Sequence, residues 1–165
     1  HRIPNFVDKG LEPSLIALAM SLDAAIGGVS TFAIGMLSER IPIRFLGSFA
    51  FLSLAIAIFL TITADSTLLM FLSFALFGAG IGGMMMLNSF LWADYFGRTH
   101  LGSIRGFVMP VILFFSAVGA PLAGYIKDAT GTYNNVWWVS IIVLLFAIGV
   151  LARTPPPTLS NPTKT

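Results

Sequence analysis

The chain has 165 residues, of which only 10% are charged, against roughly 25% in ordinary water-soluble domains, while 56% are hydrophobic and the mean hydropathy is +0.90. So few polar residues cannot cover a water-facing surface, which argues against a soluble enzyme or binding domain. With no cysteine there is no disulfide framework or thiolate chemistry, and the net charge of +2 is scattered over segment ends with no basic patch to engage nucleic acid.

In chain order, residues 1–13 read as an external loop. They begin at His1 and carry no charged region ahead of an apolar run, so the chain is expected to be part of a longer protein, with a missing helix before this loop. The first long apolar run covers 14–37 and starts behind Pro13, a natural first-turn residue. Asp23 is the one ionisable residue well inside a run. A charge at the bilayer centre costs about 2.5–3.5 kcal/mol on insertion scales, so such a residue normally faces a cavity or a partner. Asp23, Gly27, Thr31 and Gly35 recur at steps of four and share one helix face. Asp23 can be read as the carrier of a coupling proton, as the partner of a cation on another helix, or as a hydrogen-bonded packing residue above a glycine seam.

Residues 35–44, Gly-Met-Leu-Ser-Glu-Arg-Ile-Pro-Ile-Arg, form a short charged hinge into the second run, 43–64. The third run, 67–93, holds Gly78, Gly80, Gly82 and Gly83. The spacings Gly78/Gly82 and Ala79/Gly83 let helices approach closely or bend. Asn88, nearer the hinge side, is either a polar cavity residue or a partner in one interhelical hydrogen bond. The fourth run, 106–126, contains Pro110 and Pro121, and the fifth is 135–152. Residues 153–165 carry Pro155, Pro156, Pro157 and Pro162 and read as a disordered extension.

Apolar runs of about 20 residues cross a bilayer as helices, whereas barrel strands are shorter and alternate in polarity. The expected fold is therefore all-α, a polytopic transmembrane helix bundle with five spans. The hinge side carries Arg40, Arg44, Arg98, Arg105, Arg153 and Lys164, and the other side carries Arg2, Lys9 and Lys127. Basic residues accumulate in cytoplasmic loops, which puts the hinge and the C-terminus in the cytoplasm; the expected location is the cell (inner) membrane. No spaced metal-ligand pair and no Gly-x-Ser-x-Gly elbow occurs, and the Gly80 to Gly83 stretch lies in an apolar run where it cannot cradle phosphate. The expectation is a protein that is not an enzyme and needs no cofactor or metal.

The hinge is similar to the signature loop of the major facilitator superfamily, Gly-x-Leu-Ser/Ala-Asp-Arg-x-Gly-x-Arg/Lys. Gly35, Leu37, Ser38, Arg40 and Arg44 match, while Glu39 replaces the aspartate and Pro42 the second glycine. Those departures suit the weaker second copy of that loop, between helices eight and nine. Residues 95–106, Tyr-Phe-Gly-Arg-Thr-His-Leu-Gly-Ser-Ile-Arg-Gly, resemble the loop between helices ten and eleven in the branch of monocarboxylate transporters and oxalate/formate antiporters. Residues 119–124 and 128–133 resemble the end of helix eleven in that branch, and residues 1–10 the exit of helix seven.

This resemblance implies a piece of the C-terminal half, helices eight to twelve, whose partner is the missing N-terminal half of the same protein. The implied function is secondary active transport of a small solute by alternating access in the lipid bilayer, with a small organic anion such as a monocarboxylate as substrate and a proton as candidate coupling ion. It also implies that Glu39 lies near Arg105 at the start of helix eleven and closes the cytoplasmic side, so Gly35, Glu39, Arg40, Arg44 and Arg105 form a gating loop. The plainer alternative is that Arg40 and Arg44 set topology and Glu39 is solvated. Asp23, Thr31 and Asn88 are the candidates for substrate or coupling-ion contact. One departure matters: the helix-eight position that is often cationic in carboxylate carriers is Thr31 here, and residues 107–123 contain no cation. A carrier of neutral or cationic solutes, or a non-transporting or channel-like membrane subunit, therefore stays open.

Overall fold

A computed structural model describes residues 2–96 and 101–154. The proline-rich extension from 155 onward lies outside the described residues, as do Arg98 and His100. The elements are α1 (Arg2–Asp8), α2 (Pro13–Leu37), α3 (Ile43–Thr63), α4 (Thr67–Phe96), α5 (Leu101–Thr130) and α6 (Asn134–Arg153). All but α1 are long and apolar enough to cross a membrane, and the all-α expectation holds among the described residues.

Three elements differ from the sequence expectation, the third span among them, which runs to Phe96 instead of 93. Residues 2–8 are helical instead of loop. Pro4 sits in the first turn of α1, where a missing N–H costs nothing, and Phe6 is fully buried. The fourth span begins at Leu101 instead of 106 and runs to Thr130 instead of 126. Hydropathy ends where charge begins, but a helix backbone satisfies its own hydrogen bonds and carries Arg105 and Lys127 past the apolar stretch without a break.

Helix α4 is the centre of the bundle, packing extensively on α2 and α3, while α6 packs on α3 and α5 touches its neighbours lightly. Glycine explains how α4 serves two neighbours. A Cβ on Gly78 or Gly82 would overlap the carbonyl oxygen of Asp23 or Gly27 on α2, and one on Gly80 would overlap Leu54 on α3. The backbones of α2 and α4 thus touch, close enough for Ser30 Oγ to donate to Ala79 O at 2.7 Å. Two apolar clusters close the ends: Phe6, Ile16, Ala19, Ala64, Met70 and Phe74 opposite the hinge, and Ile34, Leu46, Ala50 and Leu87 beside it.

The hinge is a tight turn. Ser38 N and Ile41 N donate to Ile34 O and Leu37 O at 2.9 and 2.8 Å. Pro42 is the N-cap of α3 with φ −53°, so the residue that departs from the signature loop starts the next helix with a pre-set φ.

Replacing Gly82 by Ala should lower the thermal stability of the full protein in detergent by about 1–3 kcal/mol, the usual cost of overpacking. Gly28→Ala, where an added Cβ meets nothing within 4 Å, should leave it unchanged. Equal melting temperatures for the two variants would refute the seam.

Candidate functional site

A buried polar knot lies at the end opposite the hinge. Arg2, at the start of α1, reaches across to α2, where Nη1 lies 3.5 Å from Asp23 Oδ2. Its Nη2 donates to Ser73 Oγ on α4 at 3.2 Å. The guanidinium is flanked by the rings of Phe74 and Phe77, 4.0 and 4.1 Å from their centroids. The side chains of Arg2 and Asp23 keep only 11% and 25% of their exposure, so little water screens the pair. Behind it, Ser73 Oγ lies 2.8 Å from Thr61 Oγ1, and both hydroxyls reach Ala57 O, at 3.0 and 2.9 Å. The chain from Asp23 through Arg2 and Ser73 to Thr61 links α2, α1, α4 and α3.

The rest of α1 is pinned to the end of α3. Asn5 Nδ2 donates to Thr61 O at 3.1 Å. Lys9 Nζ donates to Thr61 O, Ile62 O and Ala64 O at 3.1, 2.6 and 3.0 Å. The last carbonyls of a helix lack intrahelical partners and carry partial negative charge, so an ammonium is well placed there. Burial lowers the Lys9 pKa from its usual value, and nearby Asp65 opposes that shift. Near the same end, Lys127 and Asp8 approach to 3.9 Å as an exposed pair, a kind of contact worth little.

On the hinge side the candidates fall into two groups. Thr31, Gly35 and Glu39 line an open cavity of ≈450 Å³ together with Phe32, Met36 and Met86. The Thr31 hydroxyl is already committed to backbone, 2.8 Å from Gly27 O and 3.0 Å from Gly82 O. Asn88 and Arg105 share a separate cavity of ≈100 Å³ between α4 and α5. There Asn88 Oδ1 accepts from Trp92 Nε1 at 2.7 Å, and Arg105 Nη2 donates to Ser89 O at 3.2 Å. Arg40 is exposed, and Arg44 lies over the Phe45 ring at 4.9 Å. The structure thus joins Thr31 to Glu39 and Asn88 to Arg105. It does not bring Asp23 to either group, nor Glu39 to Arg105.

By sequence alone Arg2 and Lys9 read as loop charges, and nothing singles out Ser73 or Thr61. A signal was present: Arg2, Asn5, Phe6 and Lys9 recur at steps of three and four, the mark of one helix face.

The chain matches the Major Facilitator Superfamily over residues 3–165. It belongs to the major facilitator superfamily. Its relatives within the superfamily include monocarboxylate transporter 13 of Rattus norvegicus, 28% identical over 159 residues, and the protein of the same name from Bos taurus, 27% identical over 158 residues. Each comparison covers 94% of this chain but 37% of the relative. No solved structure gives a significant match. Superfamily membership and the five apolar helices together make this an integral, multi-pass membrane protein.

Within this superfamily member, Arg2 and Asp23 should be energetically coupled. Asp23→Asn and Arg2→Met should each lower stability, and the double variant should recover part of the loss. The coupling expected from a double-mutant cycle of detergent melting curves is on the order of 1 kcal/mol. Strict additivity would show that the pair does not act as a unit.

Proposed function

We propose that the complete protein is a secondary active transporter that moves a small organic anion of the monocarboxylate class across a cell membrane by alternating access. The observation that carries this reading is superfamily membership across residues 3–165. The substrate class is supported by the relatives, both named monocarboxylate transporter 13. The hinge side faces the cytoplasm in this reading, supported by its excess of Arg and Lys. The burial of Arg2 adds to the contrast, because one of the cations on the other side is an internal residue.

Asp23 is the proposed coupling group. Protonating it would remove half of an ion pair and leave Arg2 uncompensated, which would loosen α1 from α2. Proton occupancy would thereby be tied to the position of α1. The hinge is the proposed gate: Glu39, at the mouth of the cavity shared with Thr31, is a carboxylate that can meet the positive start of α5 or Arg105 when the cytoplasmic side closes. Such a contact, broken and remade, shifts the balance between inward- and outward-open states by its differential strength.

In proteoliposomes holding the full protein, uptake of lactate or pyruvate should be saturable and stimulated by an inward proton gradient. Asp23→Asn should abolish the dependence on that gradient while exchange of labelled for unlabelled substrate persists. Unchanged pH dependence would leave the Arg2–Asp23 pair as a structural strut.

Glu39→Gln should raise the inward-open fraction several-fold, as read by side-specific labelling of an engineered cysteine in the cavity. No shift would reduce the hinge to a topology signal.

A further inference from the structure

The cavity between α4 and α5 holds a cation that the gating role leaves unused in this arrangement. Arg105 rises from the second turn of α5 and spends one N–H on Ser89 O at 3.2 Å, which draws the guanidinium against α4. Its other donors have no protein acceptor among the described residues. Beside it, Trp92 fixes Asn88. An indole N–H can only donate, so the amide atom facing it at 2.7 Å is Oδ1, and the Nδ2 donors of Asn88 are left available to the cavity. Among the described residues no carboxylate lines this space of ≈100 Å³. A water molecule takes about 30 Å³ of liquid, so a carboxylate group with a water fits.

A second, larger cavity adjoins the first. It measures ≈470 Å³ and shares Asn88 and Ile112 with it as a common wall. Its other walls are apolar, Phe51, Met84, Leu87 and Leu151 among them, and no charged side chain among the described residues lines it. A donor-rich chamber thus opens beside an apolar one. That pairing fits an amphiphilic monoanion: a charged head on Arg105 and Asn88, and a tail of a few carbons against Phe51 and Leu87. Among the described residues a dianion finds no second cation there, and a neutral solute gains no charge pairing with the guanidinium.

We propose that Arg105 and Asn88, with the adjoining apolar cavity, form an anion site at the hinge-side mouth of the protein that takes a short-chain carboxylate. Resting on the transport reading above, this deepens it by assigning the carboxylate a landing point on the hinge side, where residues 107–123 of α5 offer no cation further in.

The test uses the full protein in lipid nanodiscs with butyrate as probe. The readout is the fluorescence change attributable to Trp92, taken as the difference from Trp92→Phe. Butyrate should produce a saturable change, with butyramide and succinate weaker by about tenfold or more, the loss expected when a charge-assisted hydrogen bond is absent or unmatched. Arg105→Gln should weaken butyrate by a similar factor, and Arg105→Lys should restore most of the response. In vesicles, Arg105→Gln should raise KM for transport from the hinge side by about tenfold and leave KM from the opposite side within about twofold. An intact butyrate response in Arg105→Gln overturns the site. So does a loss of kcat at constant KM, which marks Arg105 as gate only, or a response to long-chain fatty acid alone, which marks the space as a lipid slot. A protein that moves no monocarboxylate defeats the transport reading, and the fluorescence titration then decides the site by itself.

Discussion

A polar group inside a bilayer has no water to turn to, and leaving it unpaired is costly. That constraint orders most of this bundle. Ser30 spends its hydroxyl on Ala79 O, Thr31 lies between Gly27 O and Gly82 O, and Ser73 reaches Ala57 O. Asp23 and Arg2 answer each other. Each bond between helices also states which faces meet: α2 turns its polar and glycine face to α4, and α4 turns Ser73 to α3. The hydroxyls are individually weak, averaging about 0.6 kcal/mol for such interhelical bonds, so they select a register more than they supply stability.

Those bonds exist only because the backbones can come together. A hydroxyl on α2 reaches a carbonyl on α4 where Gly27, Gly78 and Gly82 leave no side chain between them. The glycine seam and the polar contacts are therefore one feature seen from two sides: close approach gives dispersion along the seam, and the same approach brings donors within range of carbonyls. Gly80 and Gly83 repeat the device toward α3 and Ile34, which is why a single central helix can serve both neighbours.

Much of this was legible in the sequence. The five apolar runs, the face carrying Asp23, Gly27, Thr31 and Gly35, and the packing role of the α4 glycines follow from hydropathy and helical spacing. What was not legible depends on long side chains and tight turns. Arg2 looks like a loop charge because charge counting ignores that a guanidinium can reach from a short helix into the bundle. Thr61 and Ser73 meet because the turn between α3 and α4 is short enough to stack them, which polarity alone does not reveal. Asn88 and Trp92, four apart on a helix, were readable as a pair, but their joint cavity with Arg105 required the position of α5. The Glu39–Arg105 contact, implied by family resemblance, is open in this arrangement.

The two ends differ in how firmly they are held. Opposite the hinge, α1 is tied to α2 by an ion pair, to α4 by Ser73 and to α3 by Lys9 and Asn5, all at least partly buried. Beside the hinge, Glu39, Arg40 and Arg105 are exposed, and no ion pair joins them among the described residues. Exposed ion pairs are worth about 0–1 kcal/mol, whereas removing one partner from a buried pair costs more because it strands a charge. Conformations of an alternating protein differ by a few kcal/mol. A contact of the first kind is the right size to tune such a balance, and one of the second kind is the right size to hold an element in place until its charge is changed. On the proposed transport reading, the hinge residues would adjust the equilibrium, while the Arg2–Asp23 pair would give it a step that protonation can trip.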